Sequence, residues 1–72
     1  MITIRVNVDG REVATATAKS RWELPEVISK ATRSYEHDAN LAFQSEEKVR
    51  DFRGDLTEVI VRYQSARMQK AA

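Results

Sequence analysis

Glu36-His37-Asp38 is the one place where the chain's single histidine stands beside carboxylates. The chemistry such a trio offers is metal binding or acid–base catalysis. Neighbouring residues on a helix point in different directions, so these three cannot converge on one ion. A solvated turn is the simpler reading. The chain has no cysteine, which removes disulfides and thiolate metal sites, and one histidine is too few for a structural zinc. Serines are present, but nothing resembles a strained nucleophile elbow. The two glycines, Gly10 and Gly54, lie too far apart in sequence to cradle a phosphate. The expectation is a non-catalytic protein with no metal or cofactor.

Arg21-Trp22 carries a different kind of chemistry. Trp, Tyr and Arg are the residue types that dominate interface hot spots, and arginine outnumbers lysine eight to four, a composition suited to forked, stacked contacts. Arg21, Trp22, Arg33 and Tyr35 are therefore the expected partner-binding residues. The competing expectation for Trp22 is a lid on a small core. A second class of partner, nucleic acid, rests on Arg5, Arg11 and Lys19 of a basic N-terminal hairpin, since a two-stranded ribbon can enter a major groove. Against it, Asp9 and Glu12 interrupt that patch, and the whole chain balances 12 basic against 11 acidic side chains. A strongly basic chain would favour nucleic acid.

The elements that would hold these residues begin with a hairpin over 1–18. Ile2 to Val8 alternates apolar and polar at period two, as a half-buried strand does. Asp9-Gly10 is a strong hairpin signal, and Val13 to Ala18 returns. A two-residue turn would set Val13, Thr15 and Thr17 beside the Ile2/Ile4/Val6 face. A type I turn from Asn7 would set Ala14 and Ala16 there, and this register is preferred because small alanines leave room for a helix.

Two helices are expected next, over 25–36 and 46–70. Pro25 suits a helix start, and Leu24, Val27, Ile28, Ala31 and Tyr35 form one stripe. Ser45 reads as an N-cap with Glu46 and Glu47 in the first turn. Val49, Phe52, Leu56, Val59, Ile60 and Tyr63 then make an apolar face, closed by Arg67 and Lys70. Gly54 is a costly residue inside such a helix. Two alternatives are a single long helix with a coiled-coil seam from Leu24 to Ala66, and a short third strand at 41–44.

A single domain of 72 residues stands near the lower limit for a chain that buries its own core. Self-association is the remaining staple, so a homo-oligomer is expected. No apolar run is long enough to span a membrane and no signal-peptide pattern opens the chain, which points to a cytoplasmic protein that does not act at membranes. The sequence thus predicts an α+β mini-domain, a β-hairpin packed on two C-terminal helices, that binds another protein. Chains of this size without catalytic equipment suggest an accessory factor or a stoichiometric inhibitor of a larger protein, of the kind phages and mobile elements carry.

Overall fold

A computed structural model describes residues 1–66. Five elements follow in order: β1 (Ile2–Val8), β2 (Arg11–Ala18), α1 (Leu24–Glu36), β3 (Leu41–Arg50) and β4 (Leu56–Ser65). The four strands form one sheet in the order β2-β1-β4-β3. The central pair, β1 and β4, is parallel, while each outer strand is antiparallel to its neighbour. Two hairpins are thus joined through α1 and zipped together by the first and last strands.

The second half of the chain corrects the sequence expectation. Among the described residues α1 is the one helical element, and the residues assigned to a helix over 46–70 form most of the β3–β4 hairpin as far as Ser65. The expected helix end at Arg67 and Lys70 lies outside the described residues. A single long helix is excluded for the same reason, and the proposed strand at 41–44 is the beginning of the longer β3. The cause is visible in β4. Val59-Ile60-Val61, preceded by Thr57, is a run of β-branched residues that lose side-chain freedom in a helix and fit a pleated sheet. Val59, Val61 and Tyr63 alternate inward and are all buried, so the effective period is two, not 3.6.

Gly54 explains the break between β3 and β4. Its φ is +88°, a left-handed conformation in which an L side chain is strained. Asp51 completes the turn: its carboxylate Oδ1 accepts from the backbone N–H of Arg53 at 2.9 Å and of Asp55 at 3.0 Å, the self-bonding typical of aspartate in turns. The sign of one substitution therefore separates strand from helix. Gly54→Ala should destabilise the fold by roughly 1–2 kcal/mol, even though open space surrounds the position. In a helix interior the same change would stabilise by about 1 kcal/mol. A urea midpoint for the variant decides between them.

The N-terminal hairpin forms with an unexpected turn. Asp9 and Gly10 have φ of 53° and 82°, so both central positions are left-handed, as a two-residue type I′ turn requires. Ala14 and Ala16 nonetheless face inward opposite Val6 and Ile4. An irregularity between Val6 and Asn7 reconciles the two, because Val13 is the extra residue of a bulge and restores the inward phase.

The core consists of Ile2, Ile4, Val6, Ala18, Leu24, Val59, Val61 and Tyr63. α1 lies chiefly over β1 and β2, where the alanines let it approach, and adds Val27, Ile28, Ala31 and Tyr35 to the rim of the core. Buried Thr32 donates its hydroxyl to the Ile28 carbonyl at 2.8 Å, which satisfies its only donor. Because the helix sits over one half of the sheet, Phe43 on β3 stacks edge-on against Tyr63 (centroids 6.1 Å apart) yet stays 62% exposed. The alternative of a coiled-coil seam from Leu24 to Ala66 is overturned, because 41–50 and 56–65 are strands.

Candidate functional site: an aromatic and arginine end of the fold

The topology gathers three segments at one end of the sheet. β1 starts there, β2 finishes there beside it, and β4 starts there because it runs parallel to β1. The Ser20–Glu23 lead into α1 and the Asp51–Asp55 turn consequently flank one shallow groove of about 340 Å³, lined among others by Met1, Arg21, Arg50, Gly54 and Leu56.

Two aromatic rings stand out from the turns at this end. Trp22 is 80% exposed and Phe52 is 94% exposed. Each carries an arginine over its ring: Arg21 Cζ lies 5.0 Å from the Trp22 centroid and Arg53 Cζ 5.6 Å from the Phe52 centroid. Such stacking is attractive through the ring quadrupole, and it orders a charged head beside an apolar surface. Local bonding holds both turns. The Lys19 N–H donates to Glu23 Oε2 at 2.9 Å and the Glu23 N–H to the Ser20 carbonyl at 3.2 Å, while Arg50 Nη1 donates to the Gly54 carbonyl at 3.0 Å. Exposed Met1 adds a third apolar side chain.

The residues expected to bind a partner are not all brought together. Arg21 and Trp22 share this end, and Trp22 is no lid on the core. Arg33 and Tyr35 sit in the last turns of α1, toward the opposite end of the sheet. The helix from Leu24 to Tyr35, at about 1.5 Å per step, spans roughly 16 Å. Tyr35 packs on the core with its ring 6.0 Å from that of Tyr63, and Arg33 is exposed on the helix. Phe52 and Arg53 join the site instead. Sequence reasoning placed Phe52 on a buried helical stripe, and the missed signal was the Asp51-Phe-Arg-Gly-Asp55 turn, whose acid and glycine fit a hairpin loop.

The residues expected to contact nucleic acid are likewise dispersed. Arg5 lies on the sheet face opposite the helix, between two carboxylates: its Nη1 donates to Glu12 Oε1 at 2.9 Å and its Nε to Glu58 Oε2 at 2.6 Å. Arg62 and Glu47 form a further pair at 2.8 Å on the same face. This face is a mixed ionic surface and not a cationic one. Arg11 opens β2 and Lys19 follows its last residue, Ala18, so the eight-residue strand holds the two roughly 26 Å apart.

The same network sets a pH dependence. Hydrogen bonds from Arg5 and then from Thr15, whose hydroxyl lies 3.0 Å from Glu12 Oε2, hold the Glu12 carboxyl below its ordinary value of 4.5. A depressed folded-state pKa contributes stability above the unfolded value that is lost as pH falls through the folded one. Wild type should therefore exceed Glu12→Gln in urea midpoint at neutral pH. That difference should shrink as pH falls below the ordinary carboxylate range, and it is lost once Glu12 is protonated in both states. Burial pushes the Tyr63 hydroxyl above its ordinary value of 10.0, so it is neutral at pH 7.

His37 caps the end of α1, its N–H donating to the Arg33 carbonyl at 3.3 Å, and is exposed with Glu36 and Asp38. Among the described residues no group of three or more His, Asp or Glu is placed to hold a metal ion. Among the same residues no helix is long and apolar enough to cross a membrane. No protein-family model matches the chain, and no curated protein or solved structure matches it significantly.

Proposed function

We propose that this chain is a small non-catalytic protein-binding module that captures its partner with the end of the fold bearing Trp22, Phe52, Arg21 and Arg53. The observation that carries the reading is the pair of rings, 80% and 94% exposed, each beneath an arginine, on two turns that flank one groove. Neither ring is needed by the core, which closes with Ile4, Val6 and Val59 fully buried. Large exposed apolar side chains grouped in one place are the usual mark of an interaction surface. Aromatic and arginine anchors are where binding energy concentrates.

The partner chemistry follows. A complementary segment offers an apolar side chain to the groove between the two turns and carboxylates to Arg21 and Arg53, neither of which enters an ion pair among the described residues. Binding of this kind suits an accessory factor or a stoichiometric inhibitor, which acts by occupying a surface. Parallel affinity captures from the native cell with wild type and a Trp22→Ala/Phe52→Ala double variant test the reading. A protein retained by the first and absent from the second is expected; equal retention by both contradicts it. A gel-shift titration at two salt concentrations addresses the other partner class. No shift is expected, whereas binding that weakens steeply with salt would indicate nucleic acid.

A further inference from the structure

Building on the aromatic end as the contact surface, we propose that its groove receives the last residue of a partner polypeptide, an apolar residue whose free carboxylate binds Arg21 and Arg50. Sheet order fixes how the groove is built. β1 lies between β2 and β4, so Met1 and buried Ile2 floor a space flanked on one side by Arg21 of the lead into α1. Arg50 and Asp55 of the β3–β4 turn flank the other side. Half-buried Leu56 extends the apolar floor. Both arginines are held before a ligand arrives: Arg21 over the Trp22 ring at 5.0 Å, and Arg50 by its 3.0 Å hydrogen bond to the Gly54 carbonyl. A guanidinium has several N–H donors in a fixed fork, so that bond leaves Arg50 others to give. Neither arginine enters an ion pair among the described residues.

Charge, size and chain geometry select the occupant. Two arginines and one aspartate leave the lining side chains one unit positive, which a single carboxylate neutralises and a phosphate dianion overshoots. At about 340 Å³ the groove is at the small end of ligand sites, which run about 300–1,000 Å³. The apolar group and the carboxylate must therefore arrive close together. Inside an extended chain they do not: neighbouring side chains point to opposite faces, and those sharing a face are two residues, about 7 Å, apart. A glutamate side chain brings the charge without an apolar branch. At a chain end both groups hang from one α-carbon. The apolar side chain then lies on Met1, Ile2 and Leu56, the carboxylate meets Arg21 and Arg50, and Asp55 accepts the N–H of the same residue. Capture of a terminal carboxylate is a recurring mode of peptide recognition, and hydrogen bonds to a charged group are the strong ones.

An array of short random peptides, each made with a free and with an amidated carboxyl terminus and probed with the full chain, tests this. Retained peptides should end in an apolar residue, and amidation should weaken them roughly tenfold or more. Arg21→Gln and Arg50→Gln, both at exposed positions, should make the free and amidated forms bind nearly alike, with circular dichroism unchanged. Arg53→Gln, outside the groove lining, should keep the difference. Peptides retained equally in both forms overturn the proposal. If the Trp22→Ala/Phe52→Ala variant loses those peptides, the aromatic end remains the contact surface; if it keeps them, that reading falls too. An array on which nothing is retained also overturns the terminal-carboxylate proposal.

Discussion

Ile4→Ala should leave much of the population unfolded at 25 °C, while Phe52→Ala leaves the urea midpoint almost unchanged. Ile4 is fully buried at the centre of the sheet, between Ala16 of β2 and Val59 of β4. Removing its outer carbons leaves a cavity that neither neighbour can close, and isoleucine-to-alanine changes of this kind cost about 2–5 kcal/mol. A domain below roughly 70–80 residues commonly has only about 3–5 kcal/mol in total, so the loss is comparable to the whole stability. Phe52 is 94% exposed on a turn, and surface substitutions usually fall within about 0.5 kcal/mol. Were residues 46–70 a helix with Phe52 on its buried stripe, the same change would cost about 3–5 kcal/mol. Chemical denaturation of the two variants beside wild type reads both effects in one experiment.

Trp22→Ala should weaken partner binding by roughly 30-fold or more, the loss expected of an interface hot spot costing about 2 kcal/mol or above, with folding intact. Truncation removes the largest apolar surface at that end and also the platform on which Arg21 lies 5.0 Å from the ring centroid. Leu24, two residues on, holds the turn to the core, so the backbone should keep its place. Titration calorimetry reads the affinity and far-ultraviolet circular dichroism the fold. A variant that binds as tightly as wild type would remove Trp22 from the interface. The chain has one tryptophan, so its fluorescence gives a second readout: a solvated emission when free, moving to shorter wavelength when a partner covers the ring.

What could be read from the sequence divides at Glu36. Before it, strict alternation over Ile2–Val8, the Asp9-Gly10 turn and the Leu24–Glu36 stripe each admit one period, and the structure forms a hairpin and a helix there. The inward phase of Ala14 and Ala16 was also legible, although a bulge at Val13 produces it and not the expected type I turn. After Glu36 two periods coexist. Leu56, Val59, Ile60 and Tyr63 satisfy helical spacing, whereas Val59, Val61 and Tyr63 satisfy strand spacing, and residues shared between the sets let either pattern be counted. Pairing decides: β4 lies between β1 and β3, a non-local contact that no local window contains. Glu46 and Glu47 imitated the acidic first turn of a helix, but both lie on β3, where Glu47 accepts a hydrogen bond from Arg62 of β4.

The same division runs through the site. Trp22 in its polar turn was read both as a lid on the core and as an exposed anchor, and its 80% exposure excludes the lid. Phe52 was hidden by the stripe it was assigned to. Arg33 and Tyr35 looked close to Trp22 only while the direction of α1 was unknown, and the helix carries both toward the far end of the sheet.

The central claim is that contact with a protein partner is made by the end of the fold carrying Trp22 and Phe52. Site-specific photocrosslinking tests it most directly, with a photoreactive aromatic residue placed in turn at positions 22, 52, 30 and 47 and irradiated in the native cell. Lys30 marks the outer surface of α1, and Glu47 the open face of the sheet. One and the same adduct is expected from positions 22 and 52, and none from 30 or 47. An adduct from 30 or 47, with 22 and 52 silent, would contradict it.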